Sequence, residues 1–249
     1  MLEEAGKQII LPAWKTLSSV HTKSDGSIIT EIDLACESFI QKSLAEIDGK
    51  IGFLSEEMEP EEQRGCLNKG GNYWCLDPLD GTTNFVANYP VFSISLALIE
   101  DGRPIMGVIH DPVREESFYA QSHKGAWLNG MPLQTSDEKN LKASVGFVDF
   151  KRLNPSLAAA LATTRLYRSQ RNIGSCALEW SWLAAGRAQF ILHGGQQLWD
   201  YAAGLLIAEE AGCVVSNFEK KHPFEKNQLK SSMAAACNNS IHKQVLSLI

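Results

Sequence analysis

Apolar residues at Leu2, Ala5, Ile9, Ile10, Ala13, Trp14 and Leu17 recur at helical spacing and predict a helix over residues 2–17. Pro12 lies inside it, so a kink or a restart is expected there, because proline lacks the N–H and crowds the preceding turn. Lys23-Ser24-Asp25-Gly26-Ser27 reads as a polar loop with a turn at Asp25-Gly26. Thr30-Glu31-Ile32-Asp33 has the form of a helix start, with Thr30 as N-cap and Asp33 as its reciprocal partner. That helix runs to Asp48, turns Ile32, Ala35, Phe39, Ile40, Leu44 and Ile47 inward, and stops at Gly49. Residues 51–55 form a short apolar strand that delivers Glu56 and Glu57 at its end. Residues 58–72 lack periodicity and read as a polar connection, a candidate flap.

Strand patterns follow at 91–100 and 103–110, joined by a two-residue Asp101-Gly102 turn, then at 116–121 and 126–128, closed by Asn129-Gly130. Residues 1–140 therefore read as an α+β part with a largely antiparallel sheet. From about Leu141 the texture changes. Strands at 144–148, 167–173, 189–192, 213–215 and 233–237 alternate with helices at 155–164, 175–185, 201–210 and 241–248. Gly186 and Gly212 close two of those helices. Alternation of this kind predicts an α/β part over 141–249.

The stretch with the most chemistry is Trp74-Cys75-Leu76-Asp77-Pro78-Leu79-Asp80-Gly81-Thr82-Thr83-Asn84-Phe85. An apolar strand runs into two carboxylates three residues apart around a proline, which biases Leu76-Asp77 toward extended geometry. Gly81 lets the backbone approach a ligand, and the N–H groups after it form a place for phosphate. Two acids beside such a turn call for a hard, oxygen-seeking cation between them, Mg²⁺ above all. Asp-Pro-Leu-Asp-Gly taken alone is also an ordinary solvated turn.

Composition narrows the function class. A length of 249 residues fits one large domain or two intimate ones. At 44% hydrophobic and 21% charged residues, the chain has the means to build a globular core. The net charge of −6 lacks the footprint of a nucleic-acid binder, so positive potential for an anionic substrate must come from metal and backbone. No apolar run is long enough for a bilayer, and Met1-Leu2-Glu3-Glu4 is acidic where a signal peptide is basic. The six cysteines, Cys36, Cys66, Cys75, Cys176, Cys213 and Cys237, contain no C-x-x-C pair. They argue against zinc and fit reduced thiols in a cytoplasm. Cys75 is a small apolar strand residue or a thiol beside the site.

The signature, ending in Thr-Thr-Asn-Phe, resembles that of the inositol monophosphatase family, within the Mg²⁺-dependent, lithium-sensitive phosphatases. The resemblance extends along the chain. Thr30-x-x-Asp33 is similar to the family's Thr-x-x-Asp. Ser55-Glu56-Glu57 stands where the family has Gly-Glu-Glu. Trp199-Asp200-Tyr201-Ala202-Ala203-Gly204 matches Trp-Asp-x-Ala-Ala/Gly-Gly, and Gly174-Ser175-Cys176-Ala177 resembles Gly-Ser-Ala-Ala. It implies the layered α-β-α-β-α sugar-phosphatase fold, a homodimer, and two or three Mg²⁺ ions per active site. The implied metal ligands are Glu56, Asp77, the Leu79 carbonyl, Asp80 and Asp200, with all but Asp200 in the first part. Asp33 and Thr82 would orient a water, with Glu56 completing the catalytic set. Asp80, Gly81, Thr82, Cys176 and His193 would meet the small phosphorylated substrate.

Each assignment has a plainer alternative. Asp33 is also explained as a cap partner, Asp200 as an N-cap, and Glu56 as part of the solvated acidic run 56–62. Lys23 lies near the matching loop and is explained as a solvated loop lysine. His193 stands seven residues before Asp200, where inositol-specific members carry a glutamate for ring hydroxyls. It either bonds a hydroxyl or is a surface residue beside Gly194-Gly195. The substrate is then a polyol or sugar phosphate, or alternatively histidinol phosphate, a sugar bisphosphate or a nucleotide 3′-phosphate. A regulatory protein-binding member of the family is the non-enzyme alternative. On the enzyme reading, Asp80→Asn abolishes Mg²⁺-dependent phosphate release and leaves the fold intact.

Overall fold

The computed structural model describes residues 1–16, 20–22, 28–224 and 228–249. Leu17, the polar loop at 23–27 with its Asp25-Gly26 turn, and Lys23 lie outside the described residues. The chain begins with α1 (Leu2–Ala5), a π-helical turn (Gly6–Ile10) and α2 (Leu11–Ala13). The π turn includes Gln8, whose carbonyl an ideal α-helix would press against the Pro12 ring. The helical run ends at Trp14, short of the predicted Leu17, where the backbone becomes extended. β1 (Val20–Thr22) and β2 (Ile28–Thr30) then pair antiparallel, a ribbon the hydrophobic pattern does not announce.

α3 (Glu31–Asp48) has the predicted start and end. The Thr30 hydroxyl accepts from Ile32 N at 3.2 Å, and Thr30 N donates to Asp33 Oδ2 at 2.8 Å. Its buried stripe is Ile32, Cys36, Ile40 and Leu44, four residues apart, which keeps Ile32, Ile40 and Leu44 of the expected set, with Phe39 half-buried against the same core. Ala35 falls on the solvent side, and Ile47 is 70% exposed. β3 (Gly52–Ser55) follows, and then the expected flap proves to be α4 (Pro60–Lys69). Its terminal signals are present: Pro60 opens it, Glu61 and Glu62 occupy the first turn, and Lys69-Gly70 close it. Its buried face is only Gln63 and Leu67, too narrow a stripe to register as periodicity.

β4 (Tyr73–Asp80) leads into the short α5 (Thr82–Val86), and β5 (Ser93–Glu100), β6 (Arg103–Asp111), β7 (Glu116–Gln121), β8 (Gly125–Leu128) and β9 (Met131–Pro132) complete a sheet ordered β3-β4-β5-β6-β7-β8-β9. Only the β3–β4 pair is parallel. Asp101-Gly102 and Asn129-Gly130 have positive φ at both positions, as two-residue hairpin turns require. The second sheet is ordered β11-β10-β12-β14-β13. It contains β10 (Val145–Asp149), β11 (Ser169–Arg171), β12 (Phe190–Gln197), β13 (Val214–Ser216) and β14 (Lys230–Ala236). Its helices are α6 (Pro155–Thr163), α7 (Cys176–Ala184), α8 (Leu198–Glu210) and α9 (Asn239–Leu246).

The layers run α-β-α-β-α, the mixed architecture expected. α1 and α3 cover one face of the first sheet through Leu76, Ile94 and Leu96. Leu54, Tyr73, Cys75, Ala97 and Ile99 point to the other face, where α7 and α8 lie between the sheets. The opposite allegiance of Cys75 and Leu76 is the period-two alternation of a strand buried on both sides. α9 packs on β12, β13 and β14. No helix among the described residues is long and apolar enough to cross a membrane.

α7 and α8 approach so closely that a Cβ added at Gly204 would lie 2.3 Å from Trp180 Cβ. Trp180 is fully buried and cannot yield. Gly204→Ala is therefore expected to destabilise by about 1–3 kcal/mol through overpacking. A thermal melt lowered by several degrees checks this; an unchanged melt would contradict the close helix contact.

Candidate active site

Residues three apart on a regular strand face opposite sides. Asp77 and Asp80 nevertheless converge, because β4 carries one extra residue against β5. Asp77 pairs with Ser95 and Asp80 with Ser93, so three steps on β4 oppose two on β5. Pro78 sits within this bulge, one of the few places an interior strand tolerates a residue without an N–H. Leu79 N donates to Asp77 Oδ1 at 3.1 Å and tightens the turn. Asp200 arrives from the first turn of α8, and one carboxylate oxygen each from Asp77, Asp80 and Asp200 lie within 4.8 Å of one another. Asp77 is 1% exposed and Asp80 6%, while Asp200 keeps a partly open face.

Asp200 is not the N-cap that residue preference suggests. α8 begins at Leu198, and Asp200 accepts from Gln197 N at 2.8 Å with Oδ2. One carboxylate thus caps the helix backbone and faces the acidic cluster.

Asp80 does more than was expected of a ligand. Ser175 Oγ donates to it at 2.5 Å, Ala177 N at 2.8 Å, Cys176 N at 3.1 Å and Ser93 Oγ at 3.3 Å. It therefore anchors the N-terminus of α7, and Asp80→Asn is expected to lower stability as well as activity. An amide would turn an NH₂ toward these donors. Ser93 and Ser175 were not singled out as Asp80 partners from sequence. Ser175 carried a signal as the N-cap type before a helix, whereas Ser93 carried none.

Asp33 divides its oxygens between two tasks. Oδ2 accepts from Thr30 N and Thr30 Oγ1, completing the cap, and Oδ1 lies 3.1 Å from Thr82 Oγ1. The cap and the Thr82 pair are thus both present. The same Thr82 hydroxyl is 3.0 Å from the Leu79 carbonyl, so its one proton serves either acceptor at a time. Burial raises the Asp33 pKa despite these bonds. Gly81 precedes α5 at φ +94°, and an added Cβ would sit 3.0 Å from Val91 O and 3.2 Å from Gly174 O. Neither the backbone angle nor the space admits a side chain.

Glu56 stands where β3 ends beside β4, its N donating to Leu76 O at 3.2 Å. Gln63 on α4 bonds the carbonyls of Ser55 and Glu56 at 2.9 and 3.3 Å, so the helix missed from sequence holds this turn. The Glu56 carboxylate is outside the 4.8 Å trio but acts on it. Burial pushes Asp77 well above the usual carboxylate range, and Glu56 leads the neighbouring carboxylates in adding to that shift. Burial, then Asp80 and Glu56, raises Asp200, and burial raises Asp80 against its hydrogen bonds.

His193 is neither a surface residue nor a free donor. β12 extends to Gln197, past the predicted end at Leu192, and His193 is 3% exposed within it. Its Nδ1 accepts from Gly195 N at 3.1 Å and its Nε2 lies 3.4 Å from Asp149 Oδ2. Both ring nitrogens are engaged within the protein, which weighs against His193 as a direct hydroxyl ligand. Cys176 opens α7 beside Asp80, and burial, with Asp200 and Asp80 next, pushes its thiol well up. Cys75 is 1% exposed with its thiol pushed up by burial, and is a core residue.

Like charges at 4 Å repel by about 4 kcal/mol at an effective dielectric near 20. Among the described residues no lysine or arginine is ion-paired to Asp77, Asp80 or Asp200. Buried, clustered, oxygen-only donors of this kind suit a hard divalent cation.

Fold and donor set together define a layered α-β-α-β-α protein with a buried acidic cluster suited to a divalent cation. Residues 2–249 match the inositol monophosphatase family, and the chain belongs to that family. It is 33% identical to the fructose-1,6-bisphosphatase/inositol-1-monophosphatase of Thermotoga maritima over 259 positions, covering 100% of this chain and 93% of the relative. It is 34% identical to the Nus factor SuhB of Pseudomonas aeruginosa over 239 positions, covering 93% and 86%. The solved structure of a Thermotoga maritima IMPase is similar with a TM-score of 0.87 at 30% identity, covering 99% of this chain and 92% of that one.

Proposed function

We propose that this chain is a Mg²⁺-dependent phosphomonoesterase acting on a small phosphorylated polyol or sugar. The observation that carries the reading is the meeting of Asp77, Asp80 and Asp200 oxygens within 4.8 Å. The Asp33–Thr82 contact beside them supports it. Glu56, Asp77 and the Leu79 carbonyl would hold one ion, and Asp77, Asp80 and Asp200 a second. When bound, the ions supply the charge that offsets the carboxylates, polarises the phosphoryl group and activates water.

The protein's own part is positioning. Asp33 Oδ1 and Thr82 Oγ1 accept hydrogen bonds from a water and aim its oxygen at phosphorus. The Gly81 and Thr82 N–H groups hold phosphoryl oxygens. A bond forms from the water oxygen to phosphorus as the ester P–O bond breaks. The attacking water gives up one proton and the departing alkoxide gains one, so that water and ester become inorganic phosphate and an alcohol. Positioning and electrostatics carry nearly all of such a reaction.

Phosphate release across inositol 1-phosphate, a hexose bisphosphate, histidinol phosphate and a nucleotide 3′-phosphate tests this. Release is expected only with Mg²⁺ and is expected to fall with added lithium. Thr82→Val is expected to lower kcat by about 100-fold with little change in melting. Silence toward every ester at millimolar Mg²⁺ would refute the reading.

A further inference from the structure

Beside the acidic cluster lies a second polar constellation that the reaction scheme does not use. β10 and β12 run parallel, and their register places Asp149 directly opposite His193. Asp149 is the last residue of β10, His193 lies midway along β12, and β12 continues straight into α8, which carries Asp200. Asp149 is near enough to the head of α7 that its charge helps raise the Cys176 thiol and the Glu179 carboxyl.

The hydrogen bonds settle the state of the histidine. Because Gly195 N donates to Nδ1, that nitrogen carries no proton, and the ring proton is on Nε2, facing Asp149 Oδ2 at 3.4 Å. Lys151 N donates to the other oxygen of Asp149 at 2.9 Å. The carboxylate thus has two donors fixed and acceptor capacity for about two more. Its side chain is 17% exposed against 4% for His193, so the open acceptor belongs to the aspartate. Burial alone would raise its pKa, but the His193 and Lys151 bonds outweigh burial and hold it below the usual range. Arg152, which also favours the ionised form, directs its guanidinium to the Gly195 carbonyl at 3.4 Å.

We propose that Asp149, aimed by His193, is a specificity-determining residue that accepts hydrogen bonds from hydroxyl groups of the leaving alcohol. The proposal rests on the phosphatase reading and narrows its substrate class to neutral polyol monoesters. An acceptor-only anion at this place rewards hydroxyl donors and repels a second phosphate. His193 is a positioning residue: it reaches the substrate only through Asp149.

The test compares inositol 1-phosphate with p-nitrophenyl phosphate, whose leaving group has no hydroxyl to donate, at saturating Mg²⁺. Asp149→Asn is expected to raise KM for the inositol ester about 10-fold or more and to leave p-nitrophenyl phosphate turnover within about twofold of wild type. His193→Ala should reproduce the split in part. His193→Gln, which can donate to Asp149 and accept from Gly195, should restore the inositol KM. Equal losses on both esters, no loss on either, or a wild-type preference for a hexose bisphosphate would overturn the proposal. A wild-type protein silent on the inositol ester but active on another ester of the panel would overturn this proposal alone, and silence toward every ester would overturn the phosphatase reading with it.

Discussion

Asp77→Asn is expected to cut metal-dependent phosphate release by about 10³-fold or more while leaving a folded protein. Asp77 faces Glu56, Asp80 and Asp200 at once, so its charge is shared by every arrangement of cations that the cluster can hold. Its hydrogen bond from Leu79 N to Oδ1 survives in asparagine, whose amide oxygen also accepts. The metal-free variant should melt at or above the wild-type temperature, because a buried like charge has been removed. Asp80→Asn is the contrasting variant. It should lose activity and also melt lower, since the amide meets the Ser175, Cys176 and Ala177 donors. Near-native turnover in Asp77→Asn would defeat the assignment of this cluster as the metal centre. Phosphate release and thermal melts on the two variants decide it.

The second large effect is on stability without metal. Burial raises the pKa of Asp77, Asp80 and Asp200, and repulsion from neighbouring carboxylates adds to the shift at Asp77 and Asp200. In the unfolded chain these groups return to about 3.9. Between that value and the raised one, the folded protein binds more protons than the unfolded protein. Stability of the metal-free protein is therefore full below the unfolded pKa and declines as pH rises through the folded values. Melts in EDTA should fall as pH rises above the unfolded carboxylate value of about 3.9. Added Mg²⁺ should reverse the fall, by about 2.7 kcal/mol at 100 times its dissociation constant, and its benefit should grow with pH. For a chain of this size each kcal/mol corresponds to roughly 2–4 °C. EDTA melts that do not vary with pH, with no response to Mg²⁺, would remove the cation from this site.

Reading the chain from sequence succeeded where a residue's partner is close along it. The Thr30–Asp33 cap, the two-residue hairpin turns and the ends of α3 all depend on contacts within a few positions. It failed where few residues carry the pattern. α4 buries only Gln63 and Leu67 and so looked like a loop, although its Pro60 and Gly70 boundaries were in view. Gly194-Gly195 suggested a surface position for His193, but the strand continues through an irregularity between His193 and Gln196.

The string of residues by itself determined which carboxylates were candidates, the strand and helices that deliver them, and the family to which they belong. Hydrophobic alternation and capping are local instructions. Only the tertiary structure decided that the β4 bulge turns Asp77 and Asp80 to one side, and that Asp80 anchors a helix 95 residues away. It likewise decided that Asp149, rather than His193, keeps an open acceptor. Register between distant strands and packing between layers set which polar groups share a cavity, and neither is written in the spacing of residues along one strand.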